Sequence, residues 1–244
     1  MTDSKTALVT GGATGIGSSV VRQLRTQGLQ VAVCDVNEVA GQALADDTGA
    51  VFIPCNVMDY DSVTGAVAQC ETQLGVPDYV HLNAGIMTVP TNDAFLPIEE
   101  VSQEQFARIM GVNFNGVFHG VKCLIPKMRT NGGAITITAS TAGLSVLPVD
   151  PLYAASKHAL IGFGRAIAAA NADSNLRINV ICPGVVDTQI VPDAFRAPQF
   201  NMMSTDMLAT EVVDLLLQGA NGEVRVKNNP DREAFAIEPP DLST

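Results

Sequence analysis

Along this chain, short runs of consecutive apolar residues alternate with longer stretches of helical periodicity. The runs are "TALVT" (6–10), "QVAVCD" (30–35), "AVFIPCNV" (50–57), "YVHLNAG" (79–85), "AITITAS" (134–140) and "RINVICPG" (177–184). Most are rich in Val, Ile and Thr and read as β-strands. Runs apolar at successive positions suit strands covered on both faces, as in a parallel sheet. Helical patterns fall at about 15–27, 37–47, 59–74, 102–130 and 152–172. "SSVVRQLRTQG" ends at Gly28, and the stretch opening on Asp59 closes at Gly75. Such residues cap helices at those ends. The alternation predicts βαβ units with right-handed crossovers. The expected fold is one doubly wound α/β domain over 1–244, with a parallel sheet of about seven strands. "GEVRVK" (222–227) reads as a last strand. The segment at about 187–208, with Pro192 and Pro198, breaks the alternation and is expected to form a lid. The Pro-rich, acidic tail at about 228–244 is expected to be loosely ordered at its end.

Composition narrows the class. The mean hydropathy of +0.23 is high, yet no apolar run approaches the about 18 residues a spanning helix needs. A net charge of -11 argues against nucleic acid, whose phosphates need a basic face. No basic amphipathic helix points to a membrane surface. Cys34, Cys55, Cys70, Cys123 and Cys182 form no CxxC pair and read as buried free thiols in a reducing cytoplasm. The first five residues lead straight into a strand, so a cytoplasmic chain without a signal peptide is expected. His81, His119 and His158 lack ligand spacing, so no metal is expected.

"TGGATGIG" (10–17) follows the first strand and opens the first helix. Gly11, Gly15 and Gly17 leave room for a tight turn and for close backbone approach to a diphosphate. The helix N-terminus offers free N–H groups and the positive end of its dipole. Thr14 and Ile16 of the same turn are candidate cofactor contacts. Asp35 ends the second strand, twenty residues after Gly15. A carboxylate there accepts both ribose hydroxyls of an adenosine and repels a 2′-phosphate. Neither Val36 nor Gly12, Ala13 or Thr14 brings a cation to neutralise such a phosphate, so NAD is expected over NADP. Asn56 and Val57 either hold the adenine or form a plain turn. Asn83, Ala84 and Gly85 end the fourth strand with little bulk, at the sheet edge where open α/β sheets bind ligands. Ser140 ends the fifth strand. Tyr153 and Lys157, in "YAASK", share one face of a helix by their i, i+4 spacing. The spacing alone fits a solvated face as well as a tyrosine tuned by a nearby charge. Asn113 lies mid-helix in "GVNFNGVFHG", an unfavourable place for Asn.

Taken together, "TGGATGIG", Asp35, "NAG" (83–85), "VN" (112–113), Ser140, "YAASK" and "PGVVDT" (183–188) resemble the short-chain dehydrogenase/reductase family in order and spacing, over about residues 5–190. The resemblance implies a nicotinamide cofactor and a catalytic set of Asn113, Ser140, Tyr153 and Lys157. It also implies that Pro183, Gly184, Val186 and Thr188 line the nicotinamide end. Tyr153 would be the general base or acid, with its pKa drawn from about 10 toward working pH by Lys157 and the oxidised nicotinamide. Ser140 would orient the substrate oxygen. Lys157 would also bind the nicotinamide ribose, and the Asn113 backbone would anchor a proton-relay water. The ending lacks the family's common Asp-Gly-Gly turn and looks more like the prostaglandin-dehydrogenase-type branch. A homodimer or homotetramer through the long helices is expected.

The lid segment carries Ile190, Val191, Phe195, Phe200, Met202, Met203, Met207 and Leu208, and Leu144, Val146, Leu147 and Val149 add apolar surface. Such residues suit a bulky hydrophobic secondary alcohol or ketone, of the hydroxysteroid or lipid-alcohol type. With Arg196 its one cation, the lid disfavours phosphorylated or CoA-linked substrates. A ketone reductase or diol dehydrogenase for small cyclic or polar substrates is the alternative. A non-catalytic NAD(H)-binding regulator is a third reading, opposed by the filled tetrad.

Overall fold

A computed structural model describes residues 4–241; residues 1–3 and 242–244, with the extreme N-terminus and the end of the acidic tail, lie outside the described ones. The first half follows the expected alternation. β1 (Thr6–Thr10), α1 (Gly15–Thr26), β2 (Gln30–Asp35), α2 (Glu38–Thr48), β3 (Val51–Pro54), α3 (Tyr60–Leu74) and β4 (Tyr79–Leu82) succeed one another. The second half contains α4 (Gln103–Met110), α5 (Gly116–Asn131), β5 (Gly133–Thr138), α6 (Pro151–Ala169), β6 (Leu176–Pro183), α7 (Thr205–Leu217), β7 (Val224–Lys227) and β8 (Phe235–Ala236).

The strands form one sheet of order β3-β2-β1-β4-β5-β6-β7-β8. All pairings are parallel except β7 with β8, where Val226 faces Phe235. The eighth strand is thus an antiparallel edge made by the tail folding back. It was not legible because two residues carry no period. β1 and β4 are neighbours although β2 and β3 intervene in sequence, so the strand order reverses between them. At such a switch point the flanking loops diverge and open a crevice at the carboxyl edge.

Two apolar layers cover the sheet. On one face, Val20, Val21 and Leu24 of α1 pack with Leu208, Val212, Val213, Leu215 and Leu216 of α7. On the other, α3, α5 and α6 contribute Val63, Val67, Val117, Val121, Leu124, Leu160 and Ile161. All five cysteines are buried and free. Among the described residues no helix is long and apolar enough to cross a membrane.

Two expectations need correction. The helix expected over 102–130 is two helices separated by a π-turn at Gly111–Asn115. The segment expected as a lid to residue 208 stops short of it. Ser204 accepts from the backbone N–H of Met207 and caps α7, which begins at Thr205. Met203 and Leu208 are 0 % exposed in the core. Met203 is pinned by donating its N–H to the Val185 carbonyl at 3.0 Å and accepting from Asp187 N at 2.9 Å. These two side chains therefore serve the core.

Candidate active site

A single cavity of about 550 Å³ runs along the carboxyl edge of the sheet from Asp35 and Val36 at one end to Phe195 at the other. The glycine turn forms its floor. Gly11 (φ +59°) and Gly15 (φ +54°) adopt left-handed backbone that other residues resist. A Cβ on Gly17 would stand 2.1 Å from the Gly11 carbonyl oxygen. Gly17 thus lies beneath the turn as its packing partner, outside the cavity wall. The N-terminus of α1 has no side-chain cap from Thr14 and no acidic residue in its first turn. Its open N–H groups and dipole therefore suit a diphosphate.

Asp35 lines the far end. Its Oδ2 accepts from Ala13 N and its Oδ1 from Asn37 N, both at 2.9 Å. The carboxylate is thus held against the glycine turn. Asn56 and Val57 also line the cavity, but Asn56 Oδ1 accepts from Met58 N at 3.1 Å, the turn role. Asn83 donates from Nδ2 to the Gly11 carbonyl at 3.1 Å, and Thr138 Oγ1 donates to its Oδ1 at 3.2 Å. Its amide is a brace between the glycine turn and β5. Thr14, Ile16, Ala84, Gly85, Pro183, Gly184, Val186 and Thr188 complete the expected wall.

Three of the four candidate catalytic side chains, those of Ser140, Tyr153 and Lys157, converge on the cavity. Ser140 follows β5 and caps a short 3-10 turn, accepting from Ala142 N at 3.1 Å. Tyr153 and Lys157 occupy the first two turns of α6, with Lys157 Nζ 5.5 Å from the centre of the Tyr153 ring. Both line the cavity beside Ser140. Asn113 does not reach it. Fully buried in the π-turn, its Oδ1 accepts from Ile86 N at 2.8 Å, and its Nδ2 donates to the Ile86 carbonyl and to Ser156 Oγ, both at 3.0 Å. The π-turn explains the mid-helix Asn, and such bulges recur at functional sites.

The electrostatics depart from expectation. Burial pushes the Tyr153 phenol up to about 12, against a hydrogen bond with Ser140, and the Asp150 charge pushes the same way. Burial draws the Lys157 ammonium down to about 8. The expected lowering of Tyr153 by Lys157 is not found in the polypeptide alone. Desolvation acts on both groups, and Lys157 donates to the Thr138 carbonyl at 3.0 Å.

Residues 5–199 match the short chain dehydrogenase family. The chain belongs to that family. It is 37% identical over 194 residues to the 2,5-dichloro-2,5-cyclohexadiene-1,4-diol dehydrogenase of Sphingobium indicum, covering 78% of this chain and 76% of the relative. It is 35% identical over 193 residues to 3beta-hydroxysteroid dehydrogenase 2 of Eggerthella lenta, covering 76% and 72%. Among solved structures it is similar to the 3-ketoacyl-(acyl-carrier-protein) reductase of Brucella melitensis complexed with NADH, with TM-score 0.83, 26% identity, and 92% and 96% covered. This short-chain dehydrogenase is an oxidoreductase of alcohol and ketone groups that uses a nicotinamide cofactor.

The substrate end was only partly legible. Leu147, Ile190, Val191 and Phe195 line the cavity as expected, joined by Met87. The other apolar candidates do not. Arg196 is turned to Asp187 at 2.7 Å and Asp193 at 3.7 Å. Arg108 of α4 does line the cavity and was missed. No spacing marks it: it stands five residues before Asn113, off the i, i+3 and i, i+4 face of a helix, and only the fold brings it to the cavity. Asp150, which caps α6 through Tyr153 N at 3.0 Å, was legible from "VDPLY", an N-cap residue followed by Pro at the first helical position.

Proposed function

We propose that this dehydrogenase interconverts a hydrophobic secondary alcohol and its ketone with NAD, using Tyr153, Ser140, Lys157 and Asn113. The observation that carries this is the convergence of Ser140, Tyr153 and Lys157 on one cavity whose opposite end is the glycine turn and Asp35. The bound nicotinamide supplies the hydride acceptor or donor. Ser140 holds the substrate oxygen, and Tyr153 takes the hydroxyl proton in oxidation or returns it in reduction. Since the polypeptide itself holds the phenol up, the lowering that base chemistry requires must accompany the oxidised cofactor. Lys157 binds the nicotinamide ribose, and the π-turn backbone at Asn113 passes the proton outward by a water. Asp35 binds the adenosine ribose hydroxyls and disfavours NADP, and Asn56 and Val57 flank the adenine.

The substrate reading rests on Met87, Leu147, Ile190, Val191 and Phe195, with 188–202 as the lid, and it agrees with the relative named for a hydroxysteroid. A second reading, a cyclic diol or other polar alcohol, is favoured by Arg108 and Gln189 in the same wall and by the diol dehydrogenase. A homo-oligomer through α4, α5 and α6 and a reducing cytoplasmic setting complete the proposal.

The test follows NADH absorbance for purified protein with NAD+ or NADP+ against steroids, fatty alcohols, cyclohexanols, cyclic diols and sugars. Steroid or fatty-alcohol turnover with NAD+ supports the first reading, and turnover confined to polar alcohols selects the second. Equal or better rates with NADP+ would overturn the cofactor assignment. Tyr153→Phe should abolish turnover while leaving NADH binding nearly intact.

A further inference from the structure

Asp150 is a carboxylate only 2 % exposed, next to the proposed proton-transfer group. Three donors meet it. Thr88 Oγ1 donates to Oδ1 at 2.6 Å, Thr88 N to Oδ2 at 3.0 Å, and Tyr153 N to Oδ1 at 3.0 Å. An N-cap needs only the last of these, and Ser would supply it. Thr88 belongs to the segment that puts Ile86 and Met87 in the cavity wall. The Thr88 carbonyl accepts from Arg108 Nη2 at 3.3 Å. Among the described residues, no cation forms an ion pair with Asp150.

We propose that Asp150 is a positioning residue for Tyr153: its carboxylate clamps the first turn of α6 to the cavity wall at Thr88 and keeps a negative charge near the phenol. The inference rests on the reading of Tyr153 as the proton-transfer group. The clamp fixes where the phenol stands relative to Ile86 and Met87. The charge opposes phenolate, so Tyr153 stays protonated until a positive charge arrives with the oxidised cofactor; burial and Asp150 push the phenol the same way. The other groups facing this corner are Lys157 on α6, Cys182 on β6, which lies beside Lys157, Ser140 after β5, and Arg108 on α4 across Thr88. Asn113, from the π-turn, carries no charge.

The test reads ionisation directly. The chain has three tyrosines and no tryptophan, so tyrosinate absorbance in the near ultraviolet is unobscured by indole. Subtracting the Tyr153→Phe titration isolates Tyr153. The intact protein is titrated with and without NAD+. Asp150→Asn and Asp150→Ser, both neutral caps, should lower the Tyr153 midpoint by about half a pH unit or more. Asp150→Glu, which keeps the charge, should leave it near wild type. Circular dichroism establishes that each variant is folded. The idea is overturned if the folded neutral variants keep the wild-type midpoint, or if Tyr153 fails to ionise below alkaline unfolding in them as in wild type. The titration does not depend on turnover. An active Tyr153→Phe would instead strike the catalytic reading itself.

Discussion

Asn113 and Ser156 are joined by a 3.0 Å hydrogen bond between two fully buried side chains. Ser156 Oγ in turn donates to the Tyr153 carbonyl at 2.7 Å. Together with the two Asn113 bonds to Ile86, this links the π-turn, the loop after β4 and the helix of the candidate acid/base pair. Lys157 is the next residue, so the network sets the rotation of α6 at the cavity.

Replacing Asn113 by Ala leaves the Ile86 N–H and carbonyl and the Ser156 hydroxyl short of a partner. We expect a loss of about 2–4 kcal/mol in urea unfolding. Ser156→Ala should cost about 1 kcal/mol. The double variant should cost less than the sum, because the shared bond is counted twice. Strict additivity would show that the two side chains are not coupled.

The glycines separate by what a methyl would meet. Gly17→Ala places carbon 2.1 Å from a backbone oxygen of the turn, so dinucleotide affinity should fall at least about tenfold as the turn deforms. Gly162, exposed in the middle of α6, has nothing within 4 Å of where a methyl would stand. Gly162→Ala should stabilise by about 0.5–1 kcal/mol. Isothermal titration with NADH and thermal unfolding separate the two outcomes.

Asp35→Ser should weaken NAD+ about tenfold or more and narrow or reverse the preference over NADP+, because the charge opposing a 2′-phosphate is gone. The Ala13 and Asn37 N–H groups lose their acceptor as well. Dissociation constants for both cofactors provide the check. An unchanged ratio would remove Asp35 from the ribose role.

His81 is 0 % exposed and held neutral, its pKa drawn down to about 4 by burial. In the unfolded chain it takes a proton near pH 6.5. Between about pH 6.5 and 4 the unfolded state therefore binds a proton that the native state refuses, and stability falls as pH falls. The loss should approach about 3 kcal/mol near pH 4. Unfolding at pH 7.5 and pH 5 should show a smaller difference in His81→Gln than in the wild type.

How much was legible follows from the range of each signal. The strands β1 to β7 and helices α1, α2, α3 and α6 are set by local runs and caps, and each lies close to where its pattern places it. The helix α7 was not predicted: its first residues fell in the expected lid, and no element was expected over 209–217. Its apolar stripe abuts the apolar residues of the preceding loop, and Ser204 marks its start only once the helix is known. The π-turn carries no repeat of its own. It is recognised by the side chain of Asn113 bonding to Ile86, twenty-seven residues earlier.

The sequence by itself determined the alternation of strands and helices and the glycine turn with Asp35 after it, through short-range features: periodicity, caps and local spacing. The candidate catalytic groups were marked by the resemblance of its motifs, in order and spacing, to the short-chain dehydrogenase/reductase family. Tertiary structure alone decided which apolar residues face the cavity and which the core, that Arg108 lines the cavity, that Asp150 meets Thr88 as well as capping α6, and that burial pushes the Tyr153 phenol up. Each of those depends on which segments meet across the sheet edge and how much water they exclude, and no local pattern encodes either.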